Sequence, residues 1–258
     1  KYSDIPSNPE DNTGGVPALK IIKDYNLDFG FKIKILKGIP LSGGLGSSAA
    51  TSAGVVFAIN KLIHNKLSNK EMLKYALEGE KVSVTNPHAD NIAPCLFGGL
   101  TLIRDTETLD IIHLSIKEYY MAIIHPHILI NTEDARKILP DSIKLSSAIK
   151  QWGNLGALIY AFTSGDDALI KKSMKDYVIE PVRSTLIKGF DDIKAGALNL
   201  GALSCSISGS GPSIFALCSS KSVASRILDY SKKYYTSSNL GCDIYLSRVN
   251  QEGPVIIN

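Results

Sequence analysis

Phe31, Ile33 and Ile35 alternate with Lys32, Lys34 and Lys37, and this period of two predicts a strand with one wet face that runs into Gly38 and Pro40. The next stretch, PLSGGLGSSAATSAGVVFAINKLIHNK (40–66), changes to a helical pattern behind a Gly/Ser-rich turn. Its first turns are almost all small, with Ala49, Ala50, Ser52, Ala53 and Gly54, which predicts that another segment approaches this helix closely. Ser68 followed by Glu71 makes a capping box ahead of Met72, Leu73, Ala76 and Leu77 at helical spacing, so a second helix is expected to run to about Val82.

Beyond a polar, Pro-punctuated stretch (83–99), GLTLIRD and LDIIHLSI read as two strands joined by the acidic turn DTET, and YYMAIIHP as a further strand beginning near Tyr119. TEDARKIL opens a helix with Thr132 as its cap and acidic residues in the first turn, where the helix dipole favours them. Helical pattern continues through SSAIKQWGNLGALIYAFTSG. The last third reads as strand (ALSCSIS), glycine turn (GSGP), strand (SIFALC), helix (SVASRILDYSKKYY) and strand (CDIYLSRV). This mixed order predicts an α+β fold in two domains, 1–117 and 118–258, with the weakest join near Ser115 to Tyr119.

Composition narrows the classes. The chain has 258 residues, 44% of them apolar, with 28 Lys+Arg against 25 Asp+Glu, which excludes disordered, collagen-like and coiled-coil readings. The net charge of +3 is too mild, and the lysines too scattered, for a nucleic-acid surface, although a moderately anionic small molecule fits. Cys95, Cys205, Cys218 and Cys242 lie far apart with no zinc spacing, and read as reduced thiols of a cytoplasmic protein. No apolar run approaches the roughly 18 residues of a membrane span, and the opening KYSDIPSNPEDN is unlike a secretory signal.

The chemistry concentrates in glycine turns. Gly43, Gly44, Gly46, Ser47 and Ser48 stand where a helix begins, and amides at a helix start carry open donors and the positive end of the dipole, suited to phosphate. No Gly-Lys-Ser/Thr follows, so the turn is not a P-loop. Gly44, Gly46 and Ala49 match G-x-G-x-x-A, but the alternating strand, Pro40 and the lack of an acidic residue about 20 positions on argue against a dinucleotide fold. The bland alternative is a turn that merely lets a helix pack; the second glycine turn, SGSGP (208–212), could equally be a hairpin bend.

Taken together, PLSGGLGSSAA (40–50) resembles the phosphate-binding motif of the GHMP kinases, and SISGSGPSIFAL (206–217) is similar to their C-terminal glycine motif. NPHADNIAPCLFGGLTLIR (86–104), NTEDARKILP (131–140) and EPVRSTLIKGF (180–190) resemble the homoserine kinase branch. The resemblance covers nearly the whole chain, in order. It implies a first domain with a left-handed β-α-β crossover, a ferredoxin-like second domain, and a preceding segment of roughly 50 residues, carrying the first motif, that is not part of this sequence. That segment supplies the Asn and Asp that hold the substrate's amino group in the family.

The resemblance also implies roles. ATP is expected on Pro40, Leu41, Ser42, Gly43, Gly44, Leu45, Gly46, Ser47, Ser48, Ala49 and Ala50, with Asn12 toward the adenine. Ser48 and Glu80 are the implied Mg2+ ligands, and Glu80 and Asp90 the catalytic carboxylates. Asp90 orients the accepting hydroxyl, and whether it also takes the proton is left open; alone, it reads equally as a helix cap, as Glu80 reads as a solvated helix face. His88, Thr132, Arg136, Arg183 and Gly209 are implied substrate contacts, the arginines gripping a carboxylate by two parallel hydrogen bonds, and Asn91 fixes the loop. The implied activity is transfer of the γ-phosphoryl of ATP to the hydroxyl of L-homoserine by a homodimer, with no nucleic-acid or membrane partner. Another GHMP kinase, such as one acting on mevalonate, and a catalytically silent binder are the alternatives.

Overall fold

The computed structural model describes residues 5–257 except 42, 83–88, 131–134 and 136. The chain divides into two compact units, and the principal break falls between Ser115 and Ile116. The tail from Asn250 belongs to the first unit, and residues 43–45 belong to the second.

The first unit is built on helices α1 (Gly15–Asp24), α2 (Ser47–Leu62), α3 (Asn69–Glu80) and α4 (Ala89–Phe97), with a hairpin of β1 (Leu100–Asp105) and β2 (Asp110–Leu114). The capping box at Ser68 and Glu71 is present in both directions, and starts α3 where the sequence places it. The small residues of α2 do admit close neighbours. Ser52 donates its hydroxyl to the Ala76 carbonyl at 2.7 Å, and a Cβ on Gly79 would sit 2.2 Å from the Thr13 carbonyl and 2.3 Å from Ser52 Oγ. Ile21, Val56, Ile59, Ala76 and Ile92 are buried in the resulting core. Each such aliphatic side chain contributes about 1.5–3 kcal/mol of burial.

The strand expected at Phe31–Ile35 does not form: residues 31–39 join no ladder among the described residues. An alternating pattern becomes a strand only when a neighbour takes up its backbone donors and acceptors, and none of the described residues does. The segment instead lines, with Ala50, Gly54 and Ala58 of α2, a groove of about 620 Å³. The implied crossover of the first domain therefore has no strands among the described residues, where the only ladder of this unit is the hairpin.

The second unit has a four-stranded antiparallel sheet in the order β4-β5-β3-β6, from β3 (Tyr120–Pro126), β4 (Ser204–Ile207), β5 (Ile214–Cys218) and β6 (Cys242–Arg248). Between β3 and β4 come α5 (Leu145–Ser164), α6 (Asp167–Ser173), α7 (Glu180–Arg183) and α8 (Phe190–Asn199), and α9 (Lys221–Ser237) joins β5 to β6. The β-α-β-β-α-β order with the first and third strands central is the ferredoxin-like arrangement. Ile124, Ile193, Ile214, Ile227 and Tyr235 fill its core. The helix expected from Thr132 lies largely outside the described residues. All four cysteines are free thiols, and burial pushes the Cys205 thiol up to about 12. No helix of the described residues is long and apolar enough to cross a membrane.

Candidate active site

In the first unit the site begins at the start of α2. Gly46 adopts the left-handed conformation (φ 67°), which a Cβ disfavours, and supplies no side-chain cap to the 16-residue helix. The first amides of α2 are thus presented without the cap that usually satisfies them, as an anion site requires. Asn91 stands against Gly46, where a Cβ would lie 3.2 Å from its Oδ1.

The two serines of the turn divide their work. Ser47 donates to the Ile39 carbonyl at 3.1 Å and is buried, so it serves the fold. Ser48 instead hydrogen-bonds Glu80, the last residue of α3. The close contact of Gly79 with Ser52 sets where that end of α3 lies. Burial raises the Glu80 carboxyl above the ordinary range, while Ser48 and Lys37 pull it back down and Asp90 pushes it up further. Asp90 stands in the first turn of α4, where its carboxylate accepts from the Asn91 amide at 2.9 Å, and its charge acts on Glu80.

Lys37 is the residue that the sequence reading missed. Its ammonium donates to the Ser47 carbonyl at 2.7 Å, to Ser47 Oγ at 3.2 Å and to Thr51 Oγ1. Burial lowers its pKa and the charge of Glu80 raises it. Grouping it with Lys32 and Lys34 on a wet strand face hid this, because no strand forms here: Lys37 is partly buried against the start of α2, whereas the apolar Leu36 is 81% exposed. Asn12, expected near adenine, is buried; it donates to the Pro6 carbonyl at 2.7 Å and accepts from the Gly14 and Gly15 amides. Its side chain holds the turn ahead of α1.

In the second unit the glycine motifs meet. Ser208 donates to the Gly44 carbonyl at 2.8 Å, and the Ser213 amide to that of Gly43 at 3.3 Å. Gly44 has φ 72°, and a Cβ there would fall 2.2 Å from the Ser208 carbonyl, so only glycine fits. Arg183 donates from Nη1 to the Gly209 carbonyl at 3.2 Å and from Nε to that of Ala135 at 3.3 Å. Arg183 and Gly209 are thereby brought together. Ser42, His88, Thr132 and Arg136 lie outside the described residues.

A Mg2+ ion fits the first-unit group by its chemistry: one hydroxyl and one half-buried carboxylate are few, hard oxygen ligands, leaving the remaining positions to phosphate oxygens and water.

Comparison with known proteins gives the family. The model of the GHMP kinases N terminal domain matches residues 16–99, and that of the GHMP kinases C terminal domain residues 158–236. A homoserine kinase of Chlorobium phaeobacteroides strain BS1 is 40% identical over 262 residues, covering 98% of this chain and 82% of that protein. One from Methanococcus vannielii is 41% identical over 251 residues, covering 95% and 82%. The crystal structure of homoserine kinase from Cytophaga hutchinsonii superposes with a TM-score of 0.94 at 46% identity, covering 99% of this chain and 81% of that one.

Proposed function

Since the chain belongs to the homoserine kinase family of the GHMP kinases, we infer that it transfers the γ-phosphoryl of ATP to the side-chain hydroxyl of L-homoserine, giving O-phospho-L-homoserine and ADP. The observation that carries the reading is the uncapped start of α2 behind the left-handed Gly46, with Ser48 and Glu80 joined beside it.

Phosphoryl transfer through a loose transition state asks the protein chiefly to position donor and acceptor and to neutralise charge. The homoserine hydroxyl attacks the γ-phosphorus, the bond to the β-phosphate bridging oxygen breaks, ADP leaves, and the hydroxyl proton passes to Asp90 or to an oxygen of the transferred phosphoryl group. The amides from Gly43 to Ala49 and the dipole of α2 take the phosphate charge. Ser48 and Glu80 would hold Mg2+, which would supply positive charge to neutralise the phosphates. Asp90 orients the accepting hydroxyl. Arg183, with Arg136 and His88, takes the amino acid itself, the guanidinium fork matching its carboxylate. The setting is threonine biosynthesis in the cytoplasm, with the enzyme a homodimer.

ADP release from Mg-ATP by the full-length protein, compared across L-homoserine, mevalonate, L-threonine and no acceptor, tests the reading. Turnover with L-homoserine alone is expected. Turnover with mevalonate instead would move the enzyme elsewhere in the superfamily, and none with any acceptor would favour a silent binder.

A further inference from the structure

A phosphate loop rich in glycine binds well only if something else supplies the rigidity that its own residues lack, because ordering a mobile loop on binding costs affinity. Gly43 is the first glycine of this loop, and its carbonyl accepts from the Ser213 amide. Ser213 is fully buried, and its hydroxyl lies 2.9 Å from Nδ1 of His125. His125 also touches the loop directly: a Cβ on Gly43 would meet its Cε1 at 3.0 Å and its Nδ1 at 3.1 Å.

The histidine is well placed to be an anchor. It sits on β3, which pairs on both sides, and its own ladder partner is Asp243 of β6. Ser213 immediately precedes β5, the other neighbour of β3. Burial holds the imidazole pKa below its ordinary value, with Asp243 opposing and His127 adding to the shift. A neutral ring offers one acceptor and one donor nitrogen, which suits a single hydroxyl partner. None of the nucleotide or substrate roles considered above uses His125.

We propose that His125 is a positioning residue for the nucleotide: through Ser213 and by direct contact with Gly43, it holds the first glycines of the phosphate loop in their binding conformation. The proposal rests on reading residues 40–50 as the ATP loop.

Steady-state kinetics of the full chain, with KM for ATP and for L-homoserine determined separately, test it on His125→Ala, Ser213→Ala, the double variant and His125→Asn. KM for ATP should rise about three- to tenfold in each Ala variant, the loss expected for one hydrogen bond. KM for L-homoserine should stay unchanged. The double variant should be no worse than the weaker single, and His125→Asn, which keeps a polar group near the place of Nδ1, should recover part of the loss. If His125→Ala does not fold, Ser213→Ala and His125→Asn carry the comparison. An unchanged KM for ATP in folded variants overturns the proposal, as does a parallel loss of both KM values and melting temperature with additive effects, the mark of a merely structural contact. Absence of ATP turnover in the unsubstituted protein would instead defeat the reading of the loop, and the proposal with it.

Discussion

Glu80 is a carboxylate that the fold holds partly out of water, and its raised pKa means that the folded chain binds its proton more tightly than the unfolded one. By linkage, this group stabilises the fold at pH below its unfolded value, and that contribution is lost as pH climbs through the raised folded value. Glu80→Gln is therefore expected to melt above the unsubstituted protein at neutral pH, with the difference closing in acid, while Mg-dependent turnover falls on the order of 100-fold. Melting curves across pH, alongside ADP-release rates, read both effects; a less stable variant at neutral pH would mean that Ser48 and Lys37 more than offset the burial. Arg183→Ala belongs to the same scale. Losing a charge-assisted grip on a carboxylate should raise KM for L-homoserine about 10- to 100-fold with KM for ATP little changed. Equal effects on both constants would assign Arg183 to holding Gly209 and not to the substrate.

Among the elements, α3 carries the clearest division between local and tertiary control. Its beginning is secured by Ser68 and Glu71, so Ser68→Ala should cost about 1 kcal/mol in urea unfolding and leave turnover in the folded protein intact. Its end is secured by contact. A methyl at Gly79 meets the Thr13 carbonyl and the Ser52 hydroxyl well inside van der Waals distance, so Gly79→Ala must displace α3 from α2 and move Glu80 with it. The expected cost is about 1–3 kcal/mol of stability, together with a fall in kcat that Ser68→Ala does not share. Matched stability losses with unequal kcat in the two variants would demonstrate the difference. The segment 31–39 shows the opposite case, an element whose sequence pattern is clear and whose ladder partner is not among the described residues.

For the molecule as a whole, the two units have separate cores, one centred on Ile59 and Ile92 and the other on Ile193 and Ile227. Ile59→Ala should cost about 2–5 kcal/mol by opening a cavity, and Ile227→Ala a similar amount. Native-state hydrogen exchange on each variant is expected to show protection lost chiefly in the unit that carries the substitution. Uniform loss across both would mean that the cores unfold as one.

The sequence by itself determined the elements whose signals are local: the capping box of α3, the acidic turn between β1 and β2, the strands and helix of the last third, and the glycine-led start of α2. These rest on interactions within a few residues, which periodicity and caps express directly. The family motifs, and with them the activity, were legible for the same reason, since each is a short run of fixed residues. Only the tertiary structure decided that Lys37 joins the start of α2, and that Ser208 and Ser213 hold Gly44 and Gly43 from the far end of the chain. Those bonds close loops of very different length, and a side chain that bonds a distant carbonyl has the same local surroundings in sequence as one that bonds water; the fold alone selects between them.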